Sequence, residues 1–148
     1  MSPNIKRSHS VSELIYHLVC PVKYRTKIFT KSNEHTLKEL CLELSKRYDI
    51  YFLEIGIDTD HVHFLIQSIP NNSPSYIANS IKGNISNQFF KLHPEVKDFL
   101  WGGNLWTSGY YINTVGNASM NIIKNYVKNQ GLPEYEQIHV SQKTLFPI

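Results

Sequence analysis

Residues 50–67 read Ile-Tyr-Phe-Leu-Glu-Ile-Gly-Ile, then Asp-Thr-Asp, then His-Val-His-Phe-Leu-Ile-Gln. Two runs rich in β-branched and aromatic residues, 50–57 and 61–67, flank the turn-forming Asp58, Thr59 and Asp60, so each run reads as a strand. A connection this short joins antiparallel neighbours. Within the second strand, Val62, Phe64 and Ile66 alternate with His61 and His63. Side chains two residues apart share a face, so the apolar trio points to a core and the two histidines stand together on the other side.

Working outward, residues 11–22 hold Leu14, Ile15, Tyr16, Leu18 and Val19 before Pro21, a buried strand. Ser32 or Asn33 then caps a helix whose apolar positions Leu37, Leu40, Cys41, Leu44 and Tyr48 follow 3.6-residue spacing. Beyond the hairpin, Ser73 as N-cap and Pro74 at the first helical position open a second helix. Its stripe is Ile77, Ile81, Ile85 and Phe89, and it stops near Pro94. Residues 98–107, with Gly102 and Gly103 between Trp101 and Trp106, read as loop, and 108–115 as a fourth strand. Gly116 and Asn117 start a last helix that runs to about Gln130 and is ended by Gly131 and Pro133. The order β-α-β-β-α-β-α predicts an α+β fold: a ferredoxin-like arrangement with a four-stranded antiparallel sheet, two helices on one face, and an additional C-terminal helix. Residues 1–10 are polar and expected as a flexible arm, with 11–148 a single domain.

Composition limits the function classes. The 148 residues are 41% hydrophobic and 18% charged, an ordinary globular balance. No apolar run approaches the roughly 18 residues of a membrane span, and the first 15 residues are polar. The expectation is a cytoplasmic protein that neither crosses a membrane nor carries a secretory leader. Two cysteines, Cys20 and Cys41, make neither a disulfide framework nor a CxxC zinc site. The net charge of +3 is uneven: residues 1–47 carry nine Lys/Arg against four Glu, and 48–148 carry six against eight acidic residues. A basic N-terminal third can follow a phosphate backbone.

His61 and His63 can converge on one divalent cation, or can be two polar residues on a solvated strand face. On the last helix, Tyr126 and Gln130 are four apart and share a face, while Met120, Ile123 and Val127 form its apolar stripe. A phenol oxygen can act as nucleophile, and a carboxamide oxygen can complete a hard cation's shell. A core tyrosine and a surface glutamine satisfy the same pattern. His9, His17, His35, His93 and His139 lack partners at ligand spacing and read as structural or surface residues.

Asp60-His61-Val62-His63-Phe64-Leu65-Ile66, with Asn125-Tyr126-Val127-Lys128-Asn129-Gln130 downstream, resembles the single-strand insertion-sequence transposases, the HUH enzymes with one catalytic tyrosine. Val19 to Arg25 resembles their first-strand signature, and Leu105 to Gly116 the segment before their catalytic helix. The resemblance implies a divalent metal, Mg²⁺ or Mn²⁺, held by His61, His63 and Gln130, and attack by Tyr126 on a phosphate of single-stranded DNA. The products would be a 5′-phosphotyrosine and a free 3′-OH. It further implies recognition of DNA hairpins at element ends, and a homodimer whose active sites are completed in trans. Lys23, Arg25 and Lys27, with Lys82, Asn84, Asn87 and Gln88 on the second helix, are the candidate DNA contacts.

Three rivals remain at this level. A related HUH nicking enzyme of replication or conjugation is usually larger and often uses two tyrosines. A non-catalytic, domesticated single-stranded DNA-binding domain has no need of the His61/His63/Tyr126/Gln130 set. A nucleotide hydrolase with His-rich strand chemistry generally places a third histidine where this chain has Leu65.

Overall fold

The structure, a computed structural model, describes residues 5–7, 10–12, 14–100, 103–116 and 120–129. One side of its sheet is the hairpin of β4 (Ile50–Ile57), at the edge, and β5 (His61–Ser68). Against β5 lies β3 (Leu14–Pro21), in antiparallel register from Leu14 opposite Ser68 to Pro21 opposite His61. The short β6 (Tyr111–Thr114) pairs with the outer side of β3, giving the order β4-β5-β3-β6. All pairs are antiparallel, and the fold is the α+β arrangement expected. Ahead of the sheet, β1 (Ile5–Arg7) and β2 (Ser10–Ser12) pair as a hairpin within and just beyond the segment expected as an arm.

Helices α1 (Lys31–Arg47) and α2 (Pro74–Leu92) cover one face of the sheet. There Tyr16, Leu18, Cys20 and Val22 meet Val62, Phe64 and Ile66 under Leu37, Cys41, Leu44, Ile77, Ile81, Ile85 and Phe89. Each fully buried side chain of this size contributes roughly 1.5–3 kcal/mol. The cap of α1 is Thr30, not Ser32 or Asn33. Thr30 Oγ1 accepts from the Asn33 amide at 3.4 Å, and Asn33 Oδ1 accepts from the Thr30 amide at 2.8 Å. Asn33 thus serves the capping box from the third helical position, and its Nδ2 also donates to the Ile28 carbonyl. Ser73 caps α2 as expected, accepting from the Tyr76 amide at 3.0 Å.

Two segments differ from expectation. Pro94 does end α2, but it also opens the five-residue α3 (Pro94–Asp98), since a proline fits a helix's first turn as well as it breaks an interior. The fourth strand begins at Tyr111 rather than 108. The carbonyls of Thr107, Ser108 and Gly109 turn instead to Lys82 Nζ at 2.9, 3.3 and 3.4 Å.

The sheet's other face carries a smaller apolar cluster of Ile15, Leu65, Tyr126 and Val127. Tyr126 and Val127 belong to α4 (Met120–Lys128), which lies across this face. The described part of the last helix falls inside the expected 116–130, while Gln130 lies outside the described residues. No described helix is long and apolar enough to cross a membrane.

Candidate active site

Beneath α4, the strand alternation brings polar rings together. His61 and His63 stand on β5 with ring centroids 5.1 Å apart. Tyr126 descends from α4 to 5.5 Å from the His63 ring and is 1% exposed. His17 on β3, fully buried, meets His63 edge to edge and nearly coplanar, with ring centroids 5.1 Å apart and 19° between the planes. Its Nε2 lies 2.9 Å from His63 Nδ1. His17, expected from its spacing to be a structural or surface residue, is buried and hydrogen-bonded to His63, a partner the spacing did not show. The β3–β5 register brings it there, with Val19 opposite His63 and His17 opposite Leu65. Desolvation pushes the His17 imidazole down to about 4, so it is neutral near pH 7.

The open end of the cluster is held by charge. Asp60 Oδ1 accepts from His61 Nδ1 at 2.7 Å and from Arg25 Nη2 at 3.3 Å. Partial burial works to raise the Asp60 carboxyl. The hydrogen bonds from His61 and Arg25, with their charges, outweigh it and hold the group below the ordinary carboxylate range. Arg25 reaches Asp60 because Tyr24 and Arg25 both adopt left-handed backbone conformations, with φ of 59° and 52°. Such residues cost of order 1 kcal/mol or more each, and they persist where the surroundings impose them.

His61 and His63 thus each have Nδ1 tied to a neighbour, Asp60 for one and His17 for the other. Metal-binding histidines use this arrangement, with one ring nitrogen oriented by the protein and the other given to the cation. Two imidazoles suit a divalent cation that keeps some of its water. Among the described residues no three His, Cys, Asp or Glu side chains form a ligand group.

The candidate DNA contacts divide. Arg25 borders the histidine cluster, Lys27 is exposed, and Lys23 lines a cleft of about 480 Å³ with Lys82, Trp106 and Ser108. Lys82 spends its ammonium on the three loop carbonyls, and Asn84 donates to the Ser80 carbonyl at 2.7 Å and accepts from Arg47. Asn87 and Gln88 are exposed on α2, in the layer across the sheet from the histidines.

Comparisons with known proteins agree with this architecture. Residues 10–130 match the family described as "Transposase IS200 like". The ISDra2 transposase TnpA of Deinococcus radiodurans is 30% identical over 120 residues, covering 81% of this chain and 86% of that protein. The transposase for insertion sequence element IS200 of Salmonella typhimurium is 28% identical over 115 residues, 78% of this chain and 75% of that one. A crystal structure of a Deinococcus radiodurans R1 protein assigned as a transposase superposes with a TM-score of 0.70 at 27% identity, covering 86% of this chain and 98% of that one. A REP-associated tyrosine transposase bound to a REP hairpin shares the fold, with a TM-score of 0.58 at 12% identity over 86% of this chain and 70% of that one. With the match spanning most of its length, the chain belongs to the IS200-like transposase family.

Proposed function

We propose that this transposase cuts and rejoins single-stranded DNA through a covalent bond to Tyr126, with a divalent cation, Mg²⁺ or Mn²⁺, held by His61, His63 and Gln130. The observation that carries the reading is a buried tyrosine 5.5 Å from a histidine whose neighbour two residues away faces the same side. The Tyr126 phenol loses its proton and its oxygen bonds to phosphorus. The bond from phosphorus to the 3′ oxygen breaks, and that oxygen leaves as a 3′-OH, the 5′ side remaining as a phosphotyrosine. An aryl phosphate is a good enough leaving group for a new 3′-OH to reverse the step, so rejoining needs no nucleotide cofactor. The cation supplies Lewis-acid neutralisation of the charge that develops on the phosphate. Asp60 and His17 fix the imidazoles, and the Tyr126 ring is held against them by the Ile15, Leu65 and Val127 cluster.

The substrate we infer is a DNA hairpin with flanking single strand at an element's ends, as the hairpin-bound relative of the same fold suggests, and the setting we infer is the cytoplasm. Lys23, Arg25, Lys27, Asn87 and Gln88 offer side chains for its backbone. Lys82 and Asn84 have their polar groups engaged within the protein, so any DNA contact by them competes with those bonds. The assembly we propose is a homodimer with sites completed in trans, which requires α4 to exchange between subunits from its position over its own sheet.

The test is end-labelled single-stranded DNA with Mn²⁺. Wild type is expected to give a DNA–protein adduct mapping to Tyr126, and Tyr126→Phe none. An adduct at Tyr110 or Tyr111, or cleavage by Tyr126→Phe, overturns the assignment. Mixing Tyr126→Phe with His61→Ala chains restores cleavage if sites form in trans, and leaves it absent if α4 serves its own subunit.

A further inference from the structure

His17 sits mid-strand on β3, between Ile15 and Val19, at no exposure to solvent. Burying an imidazole there is unfavourable unless its polar atoms are used. Its Nε2 and the Nδ1 of His63 are 2.9 Å apart, which requires one proton between them: one nitrogen donates and the other accepts. The direction matters for the far side of His63. If His17 donates, a neutral His63 carries its own proton on Nε2 and has no lone pair there. If His63 donates, Nε2 is a lone pair. A divalent cation takes only the second form.

We infer that His17 is a positioning residue, whose Nε2 accepts the Nδ1 proton of His63 and so presents the His63 Nε2 lone pair to the cation. This rests on the metal site proposed above. Asp60 does the corresponding work for His61, since an ionised carboxylate can only accept. The two orienting groups differ because their surroundings differ. Asp60 lies at the rim beside Arg25, where a charge is compensated. At His17 a carboxylate would be an uncompensated charge sealed in the sheet, whereas a neutral imidazole accepts at no such cost. The ring lies nearly coplanar with His63, 19° between the planes, and has the Tyr111 and Tyr126 rings across it, their centroids each 6.4 Å away. With Nε2 accepting, the His17 proton belongs on Nδ1. Asn113 stands opposite His17 in the β3–β6 register, but its buried Oδ1 and the His17 Nδ1 are not hydrogen-bonded to each other.

The experiment reads the tautomer and the metal separately. In full-length, metal-free, ¹⁵N-labelled protein, two-bond ¹⁵N–¹H correlations are expected to show His63 protonated at Nδ1. Wild-type His63 protonated at Nε2 overturns the inference with no variant needed. Mn²⁺ affinity by calorimetry is then expected to fall at least about tenfold in His17→Phe, which keeps a ring but no acceptor. His17→Gln, whose Oε1 stands near the imidazole Nε2, is expected to restore both the His63 tautomer and most of the affinity. A purely structural His17 predicts the reverse order, with the apolar ring tolerated and the amide not. Wild-type affinity in His17→Phe overturns the inference and leaves the proposed function standing. Failure of wild type to form a Tyr126 adduct overturns the function, while the tautomer still judges His17.

Discussion

The two faces of the sheet solve opposite problems with the same strands. Under α1 and α2, Leu18, Cys20, Val62, Phe64 and Ile66 are wholly apolar, and their positions are fixed by volume. Under α4, His17, His61, His63 and Tyr126 are polar groups in a largely dry place, and their positions are fixed by particular partners. One face tolerates any neighbour of the right size. The other tolerates a neighbour only if it donates or accepts at the right atom, so small chemical changes there are felt out of proportion to the volume they alter.

The comparison is broken most sharply by a pair of substitutions. Tyr126→Phe removes one oxygen from the polar face. Adduct formation is expected to vanish in a gel assay, while urea denaturation shifts by about 1 kcal/mol or less. Phe64→Ala, directly across the sheet, is expected to lose about 3–5 kcal/mol by the same denaturation. Its remaining folded fraction should cleave DNA at close to the normal rate per folded molecule. If Tyr126→Phe proves the more destabilising of the two, the tyrosine is mainly a packing residue.

Acid and alkali should separate the faces as well. In metal-free protein His17 has its folded value lowered to about 4 from 6.5, so the unfolded chain binds the extra proton first. Its contribution is complete above 6.5 and is lost as pH falls toward 4, with a slope of up to about 1.4 kcal/mol per unit. Cys20 on the apolar face is pushed up to about 12 from 9.0 by burial, with Lys82 opposing weakly. Its contribution is complete below 9 and is lost as pH rises toward 12. His17→Phe is expected to flatten the acid limb of a stability–pH curve and Cys20→Ala the alkaline limb. Crossed or absent effects mean that other groups govern the limbs. The smallest expected change is Asp60→Asn. It keeps an acceptor for His61 but drops the charge facing Arg25, and Mn²⁺ affinity by calorimetry should fall severalfold, up to about tenfold, with the melting profile preserved.

What could be read in the sequence follows the range of the interaction. The β4–β5 hairpin and the shared face of His61 and His63 depend on residues within a few positions, and local alternation suffices for both. The bond from His17 to His63 was not legible because its partner is 46 residues away and is chosen by the β3–β5 register, which no local pattern carries. A histidine in the middle of an otherwise apolar strand was the available signal. Arg25 was expected as a DNA contact, and its bond to Asp60 was not legible, since nothing local announces two successive left-handed residues. At α1 the expected caps were Ser32 or Asn33. The choice went to Thr30 because Asn33, three positions on, reaches back to its amide.

The turn at Tyr24 and Arg25 has a consequence for how this protein can change over generations. Glycine would relieve the left-handed backbone at either position, giving up to about 1 kcal/mol of stability if the loss of strain exceeds the added freedom of the unfolded chain. At position 24 the side chain is 69% exposed, and the gain would come with little lost packing. At position 25 the same gain removes the guanidinium from Asp60 and loosens the hold on His61. Selection for robustness and selection for activity therefore point the same way at one residue of the turn and in opposite directions at the next. A library randomised at both positions and sorted first for thermal tolerance, then for DNA cleavage, should enrich glycine at 24 in both sorts, and at 25 only in the first.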